Sequence, residues 1–257
     1  MTIHSKHLTG PLTAYVAWPD DRPDAPGVVV IHEVWGVDAH IRSVVDRFAE
    51  AGYRAIAPDL FGFEVTLAPE ALFAGFRAIQ TLPPAERAVP EKVQQAIQVV
   101  PEEHRAGVMK LMAAAATGTK PEGLAIVKQA VDHLKEHGAP KVAVTGFCFG
   151  GRVTWAYAYA GGEADAFAPF YGPAPDDKDP TKVRGAVEGH FGSEDLGIPL
   201  PPLEEAAAAL RALGKHAVIH VYEAPHAFFN DTKDAYWPAA AKLAWERTLA
   251  FFEKSLG

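Results

Sequence analysis

A single cysteine, Cys148, stands in a chain of 257 residues. One thiol excludes an intramolecular disulfide and any metal site built on several thiolates. Long apolar runs are also missing. Nothing approaches the ~18 consecutive apolar residues of a membrane-spanning helix. The opening MTIHSKHLTG lacks the charged-then-apolar order of an export signal. The formal net charge is −8 and dense basic runs are absent, which argues against nucleic acid and anionic membrane as partners. A free thiol without an export signal points to the cytoplasm. Internal repeats and low-complexity linkers are absent as well. What remains is an ordinary globular composition, 49% hydrophobic and 22% charged. A single domain of this length buries roughly 70–75% of its unfolded surface, enough for a core without disulfides.

Along the chain, residues 2–18 read as two short strands around Gly10-Pro11. Gly27 to His32 is a β-branched run expected as a buried parallel strand. Asp38 is placed to cap a helix whose apolar face is Ile41, Val44, Val45 and Phe48, and Gly52 ends it. Arg54 to Pro58 is the next strand, which completes a βαβ unit. Residues 64–120 break the alternation. Pro69 to Leu82, Pro90 to Val100 and Pro101 to Ala116 read as three helices, each with a proline near its first turn. Such an excursion is expected to act either as a lid over the carboxyl edge of the sheet or as a peripheral decoration. Alternation then resumes: a helix over Pro121–His137, strands at 142–144, 166–171, 186–191 and 216–222, and helices over 202–213 and 239–256. The pattern is a doubly wound, mostly parallel α/β sheet in one domain, 1–257. His4 and His7 lie at polar positions of the first strand, where solvation is expected rather than a metal.

The stretch KVAVTGFCFGGRVTW, residues 141–155, carries the chemistry. Gly146-Phe147-Cys148-Phe149-Gly150 is the G-x-S-x-G nucleophile elbow with cysteine in place of serine. A sharp strand-to-helix turn leaves no room for a Cβ at the flanking glycines. The helix start near Arg152 would put Cys148 at the positive end of a helix dipole, which favours thiolate. Two further polar residues sit just past strand ends, Asp195 and His226, 47 and 31 positions on from the residue before each. The order nucleophile, acid, histidine is that of α/β-hydrolases. In this reading Cys148 attacks a carbonyl, His226 carries the proton and Asp195 orients the imidazole. The N–H of Phe149, paired with that of Val34, would face the developing oxyanion. Each residue alone has a plainer reading, as a turn acid, a solvated histidine or a buried structural thiol. Type, position and order coincide three times.

Glu33 follows an apolar strand directly at the ligand edge, where an unpaired carboxylate is costly. It either pairs with Arg42 or another surface cation, or sits beside Cys148 and exchanges its proton.

Together, Gly146–Gly151, His32-Glu33-Val34-Trp35-Gly36, Ala57–Gly62, Phe170-Tyr171-Gly172 and Pro225-His226-Ala227-Phe228 resemble the dienelactone hydrolase (carboxymethylenebutenolidase) family over about residues 1–62 and 121–257. The resemblance implies an α/β-hydrolase fold, no cofactor and a small-molecule ester or lactone substrate. It assigns Cys148, Asp195 and His226 to a triad and makes Glu33 the resting partner of the thiol. It places Phe149 and Val34 at the oxyanion hole and has Trp35 and Tyr171 line the pocket. Two positions depart. Well-studied members hold a substrate carboxylate with two arginines. One lies four residues after the histidine, here Asn230; the other belongs to the region this chain replaces with 64–120, where Arg77, Arg87 and Arg105 occur. Asparagine lacks the charge and the two-pronged donor that arginine offers a carboxylate.

The leading expectation is ester or lactone hydrolysis. A thioesterase or acyltransferase on the same triad, a non-catalytic binding protein with a hydrolase fold, and a redox-sensing thiol are the competing ones. The last has no resolving cysteine within the chain.

Overall fold

Residues 2–83, 86, 89–176 and 179–257 are described by the structure, a computed structural model. Among them, eight strands form one sheet: β1 (Ile3–Leu8), β2 (Ala14–Pro19), β3 (Gly27–Ile31), β4 (Arg54–Pro58), β5 (Val142–Phe147), β6 (Ala166–Phe170), β7 (Ala186–Gly192) and β8 (Ala217–Tyr222). Their spatial order is β1-β2-β4-β3-β5-β6-β7-β8. β1 and β2 pair antiparallel, and β2 joins β4 antiparallel. The other pairs are parallel. Every residue of β3, β5 and β6 is buried, which is why these strands read as unbroken apolar runs.

Successive residues of the central strands serve opposite faces. Val28 and Val30 point to a core made with α1 (Ala39–Glu50) and α8 (Pro238–Leu256). Val29 and Ile31 point to a core made with α5 (Pro121–Glu136), α6 (Phe149–Tyr159) and α7 (Pro201–Ala212). Asp38 caps α1 as expected, its Oδ1 accepting from the Ile41 N–H at 3.0 Å.

The excursion contains α2 (Pro69–Gln80), α3 (Pro90–Ala96) and α4 (Glu102–Thr117). The helix expected over Pro90–Val100 stops at Ala96, and a 3-10 turn over Ile97–Val99 finishes it. These helices share a small core of Ala71, Ile79, Val93, Ile97, Val100 and Val108. Leu72 and Leu111 anchor them to the main body. α6 begins at Phe149, three residues earlier than the glycines suggest, because Gly150 and Gly151 are there for close approach rather than to break the helix. A Cβ on Gly150 would strike the Ile31 carbonyl of β3, and one on Gly151 the Phe170 carbonyl of β6. Among the described residues no helix is long and apolar enough to cross a membrane.

The loops after β7 and β8 are fastened to each other at the carboxyl edge. Ser193 N–H donates to Tyr222 O at 2.8 Å and Glu194 N–H to Ala224 O at 3.2 Å. Gly192 permits this approach, since a Cβ there would strike the Ala224 carbonyl. Gly192→Ala should therefore cost about 1–3 kcal/mol through overpacking, measured by urea unfolding. It should also separate the residues these two loops carry. A variant with unchanged stability would show that the loops yield freely.

Candidate active site

Cys148 ends β5 as the N-cap of α6, with φ 54°. A positive φ at a residue with a Cβ costs of order 1–3 kcal/mol and persists only where surroundings impose it. Here they do. The Cys148 N–H donates to Phe170 O at 3.1 Å, and Arg152 N–H donates to Cys148 O at 3.1 Å. Gly146 faces the Gly150 carbonyl with no room for a side chain. The turn leaves Cys148 partly exposed at the carboxyl edge, with its thiol unpaired in any disulfide.

His226 and Asp195 come to the same edge on the loops fastened above. His226 Nδ1 lies 2.6 Å from Asp195 Oδ2. Asp195 Oδ1 accepts from the Gly197 N–H at 2.9 Å, which fixes the carboxylate. The Cys148 sulfur acts on the same imidazole. Burial opposes a charge on His226, but the Cys148 sulfur and Asp195 outweigh it and hold the imidazole well above its ordinary value. Ala227, at φ 61°, makes the bend that turns the ring toward the elbow.

Glu33 is 3% exposed. Its partners are not Arg42, which donates to Val37 O. Glu33 Oε1 accepts from the Tyr171 hydroxyl at 3.1 Å, and Oε2 from Asn230 Nδ2 at 2.6 Å. Burial raises the Glu33 carboxyl above the usual range, against the pull of His40, Asn230, His226 and Tyr171. Tyr171 is fully buried, its ring 5.1 Å from that of His226, and burial pushes its hydroxyl well up, so it remains a donor. Asn230 is fully buried too, its Oδ1 accepting from Thr232 N–H and Oγ1.

The loop after β3 is held by His32, whose role the sequence reading missed. Its Nε2 accepts from the Leu60 N–H at 3.1 Å, so Nδ1 carries the hydrogen and donates to Glu33 O at 2.6 Å. Burial lowers this imidazole and keeps it neutral. Val34 and Phe149 supply amides that donate to no acceptor among the described residues. Trp35 is partly exposed; its ring meets Phe73 of α2 edge-on at 6.0 Å, and Lys233 Nζ lies 4.0 Å from its centroid. Phe149 meets the end of the excursion, where a Cβ on Gly118 would enter its ring. Of the arginines in that region, Arg105 donates to the Val100 and Gln98 carbonyls and Arg77 is exposed; Arg87 lies outside the described residues.

A sheet of this order, with a sharp glycine-flanked turn into a helix after β5, an acid after β7 and a histidine after β8, defines the α/β-hydrolase class. The family model described as "Dienelactone hydrolase family" matches residues 12–256. A Methylorubrum extorquens protein named "Putative carboxymethylenebutenolidase" is 31% identical over 256 residues, covering 95% of this chain and 77% of its own. A Saccharolobus solfataricus protein of the same name is 28% identical, covering 95% and 94%. A crystal structure of a Klebsiella pneumoniae protein described as "Putative Dienelactone Hydrolase" aligns with a TM-score of 0.68 and 30% identity over 99% of this chain and 100% of that one. The chain belongs to the dienelactone hydrolase family and is a carboxylic ester hydrolase of that kind.

Because the sulfur is the largest influence raising His226, Cys148→Ala should move the His226 titration down toward an ordinary imidazole, followed by NMR of the ring. A raised folded-state value adds stability that is complete below the unfolded imidazole value and is lost as pH rises through the folded one. The variant should lose most of that alkaline dependence. An unchanged midpoint would mean that Asp195 alone sets the ring.

Proposed function

We propose that the enzyme hydrolyses an activated ester or a lactone through a thioester on Cys148. The observation that carries this is the 2.6 Å His226–Asp195 contact at the sheet edge where the turn after β5 presents Cys148. Cys148 Sγ would attack the carbonyl carbon as His226 Nε2 takes the thiol proton. The tetrahedral oxygen would sit against the Phe149 and Val34 amides, which have no other acceptor among the described residues. His226 would return the proton to the departing alkoxide, leaving the thioester. Water would then attack with His226 as base, and Sγ would leave and regain its proton. Asp195 would hold the imidazole with Nε2 toward the sulfur.

Thiolate is a good leaving group, so the first intermediate partitions back unless the alkoxide also leaves easily. Aryl esters and strained or enol lactones fit this requirement, and amides do not. Dienelactone-like substrates agree with the relatives' names, although position 230 offers an amide occupied by Glu33 in place of an arginine. Glu33 is read as the resting partner of the thiol, and Trp35 as pocket wall. Helices α2–α4, which touch both Trp35 and Phe149, are read as a lid over the site. The mechanism needs a reduced sulfur, which places the activity in a reducing compartment such as the cytoplasm.

Cys148→Ala should lower kcat/KM on an aryl ester by about 10³-fold or more. Intact-mass measurement after brief exposure to an ester and lactone panel should show one acyl adduct on the wild-type protein. Undiminished turnover in the variant would remove Cys148 from the reaction.

A further inference from the structure

A second concavity lies at the opposite edge of the sheet from Cys148. The thiol, Asp195 and His226 follow the carboxyl ends of β5, β7 and β8. Arg54 instead opens β4, in register with Gly27 at the start of β3. There a cavity of about 250 Å³ is bordered by Lys6 of β1, by Arg54, and by His133 and His137 at the end of α5. Trp18 of β2 supplies an aromatic wall and Leu134 an apolar one. Among the described residues no acidic side chain lines it. The chain as a whole carries a net charge of −8, so four basic groups around one hollow reverse the sign locally. They come from distant positions, which is why the sequence shows no basic run.

The carboxylates nearby are engaged elsewhere. Asp20 is held by His4 at 3.0 Å and Asp132 by Lys128 at 2.7 Å. Arg54 Nη2 donates to Pro23 O at 3.2 Å, whereas its Nε is buried with no hydrogen-bond partner among the described residues. Buried polar atoms are almost always satisfied, so an orphan donor at a cavity wall calls for a reason. The rings of His133 and His137 stack at 4.0 Å. His137 Nδ1 donates to the His133 carbonyl at 2.7 Å, which leaves Nε2 for another partner. Burial lowers the His133 imidazole, His137 and Lys6 push it the same way, and Glu136 pulls against them. Lys6 Nζ lies 5.4 Å from the centroid of the Trp18 ring. Like charges gathered in this way repel, and an anion among them would relieve the repulsion.

We propose that this cavity binds a small aromatic carboxylate, with the ring against Trp18 and Leu134 and the carboxylate among Lys6, Arg54 and the two histidines. A guanidinium presents planar, charged donors that match a carboxylate, and an indole presents a flat face that suits a ring. The volume falls below the ~300 Å³ lower end of drug-sized pockets, which limits the ligand to about one ring. Ester and lactone hydrolysis releases carboxylates, so the ligand belongs to the chemical class of the enzyme's own products. Binding is reversible and makes no bond. The site lies at the edge of the sheet away from the catalytic residues, so it acts as a separate site and not as part of the substrate pocket. His133 and His137 gain charge as pH falls, so binding tightens through the imidazole range and weakens above it.

The test is calorimetric titration of the full chain with sodium benzoate, repeated with benzyl alcohol and with inorganic phosphate. Benzoate should bind, and both other probes should bind at least about tenfold more weakly, since one lacks the charge and the other the ring. Arg54→Gln should weaken benzoate binding about tenfold and Lys6→Gln by less, each with wild-type turnover of an aryl ester. Lys6 is exposed, so its variant decides the matter if Arg54→Gln does not fold. Wild-type affinity should rise as pH falls through the imidazole range, and His133→Gln should flatten that dependence. Benzoate affinity unchanged in both charge variants would place the binding elsewhere and overturn the inference, as would no binding at millimolar benzoate. Phosphate binding as tight as benzoate would leave a bare anion site and overturn the aromatic assignment.

Discussion

The active site depends on one strained residue. Cys148 holds a backbone conformation that side-chain-bearing residues avoid, and it does so because three elements crowd the turn. β3 contributes the Ile31 carbonyl against Gly150, β6 the Phe170 carbonyl against Gly151 and the Cys148 amide, and α6 closes over Gly146. Each contact requires the absence of a Cβ. The sulfur position is therefore a property of the central sheet. This explains why the glycine pattern is the most readable feature of the chain, since a packing constraint of this severity leaves few choices of residue.

Around that fixed point lies an electrostatic problem, a buried carboxylate held by one tyrosine and one asparagine. An arginine at position 230 would solve it by a charged, two-pronged contact. It would also hold the carboxylate in its ionised form very firmly. Asn230 donates one hydrogen bond and no charge. Burial then dominates and raises the Glu33 carboxyl. A group so placed changes its protonation for a modest change in surroundings, which suits the proposed role of Glu33 as resting partner of the thiol better than a permanent ion pair would.

Much of this arrangement was legible in advance, and the reasons differ by residue. The sheet was legible because β3, β5 and β6 are buried on both sides and read as apolar runs. Asp195 and His226 were legible because they fall at strand exits in a fixed order. The Glu33 network was not. Asn230 looked like a missing arginine, and its actual partner lies 197 positions away along the chain. His40 carries no signal in the sequence, and its Nδ1 meets Asp231 of the β8–α8 loop at 2.9 Å. His32 looked like the end of a strand, and its hydrogen bond to Leu60 spans two loops. Long-range polar pairing leaves no periodic signal in a sequence, whereas burial and tight turns do. The helical excursion was legible as helices from its prolines, but the 3-10 finish at Ile97–Val99 depends on Arg105 reaching back to the Val100 and Gln98 carbonyls.

The excursion also bears on how a cysteine enzyme would choose its ester. A thioester is hydrolysed only if water arrives after the alcohol has left. Control over that order has to sit close to the oxyanion hole. Gly118, just past α4, abuts the ring of Phe149, and Phe73 of α2 abuts Trp35, the neighbour of Val34. Both residues proposed to donate to the oxyanion are thus braced, directly or through one neighbour, by the same helical unit. That unit has its own small core and joins the main body through Leu72 and Leu111, with Leu67 and Phe76 packed alongside. A unit built this way can shift as one piece with little loss of internal packing. Any such shift would alter the proposed pocket wall and the two amides together, which would tie substrate fit to the proposed acyl-enzyme chemistry.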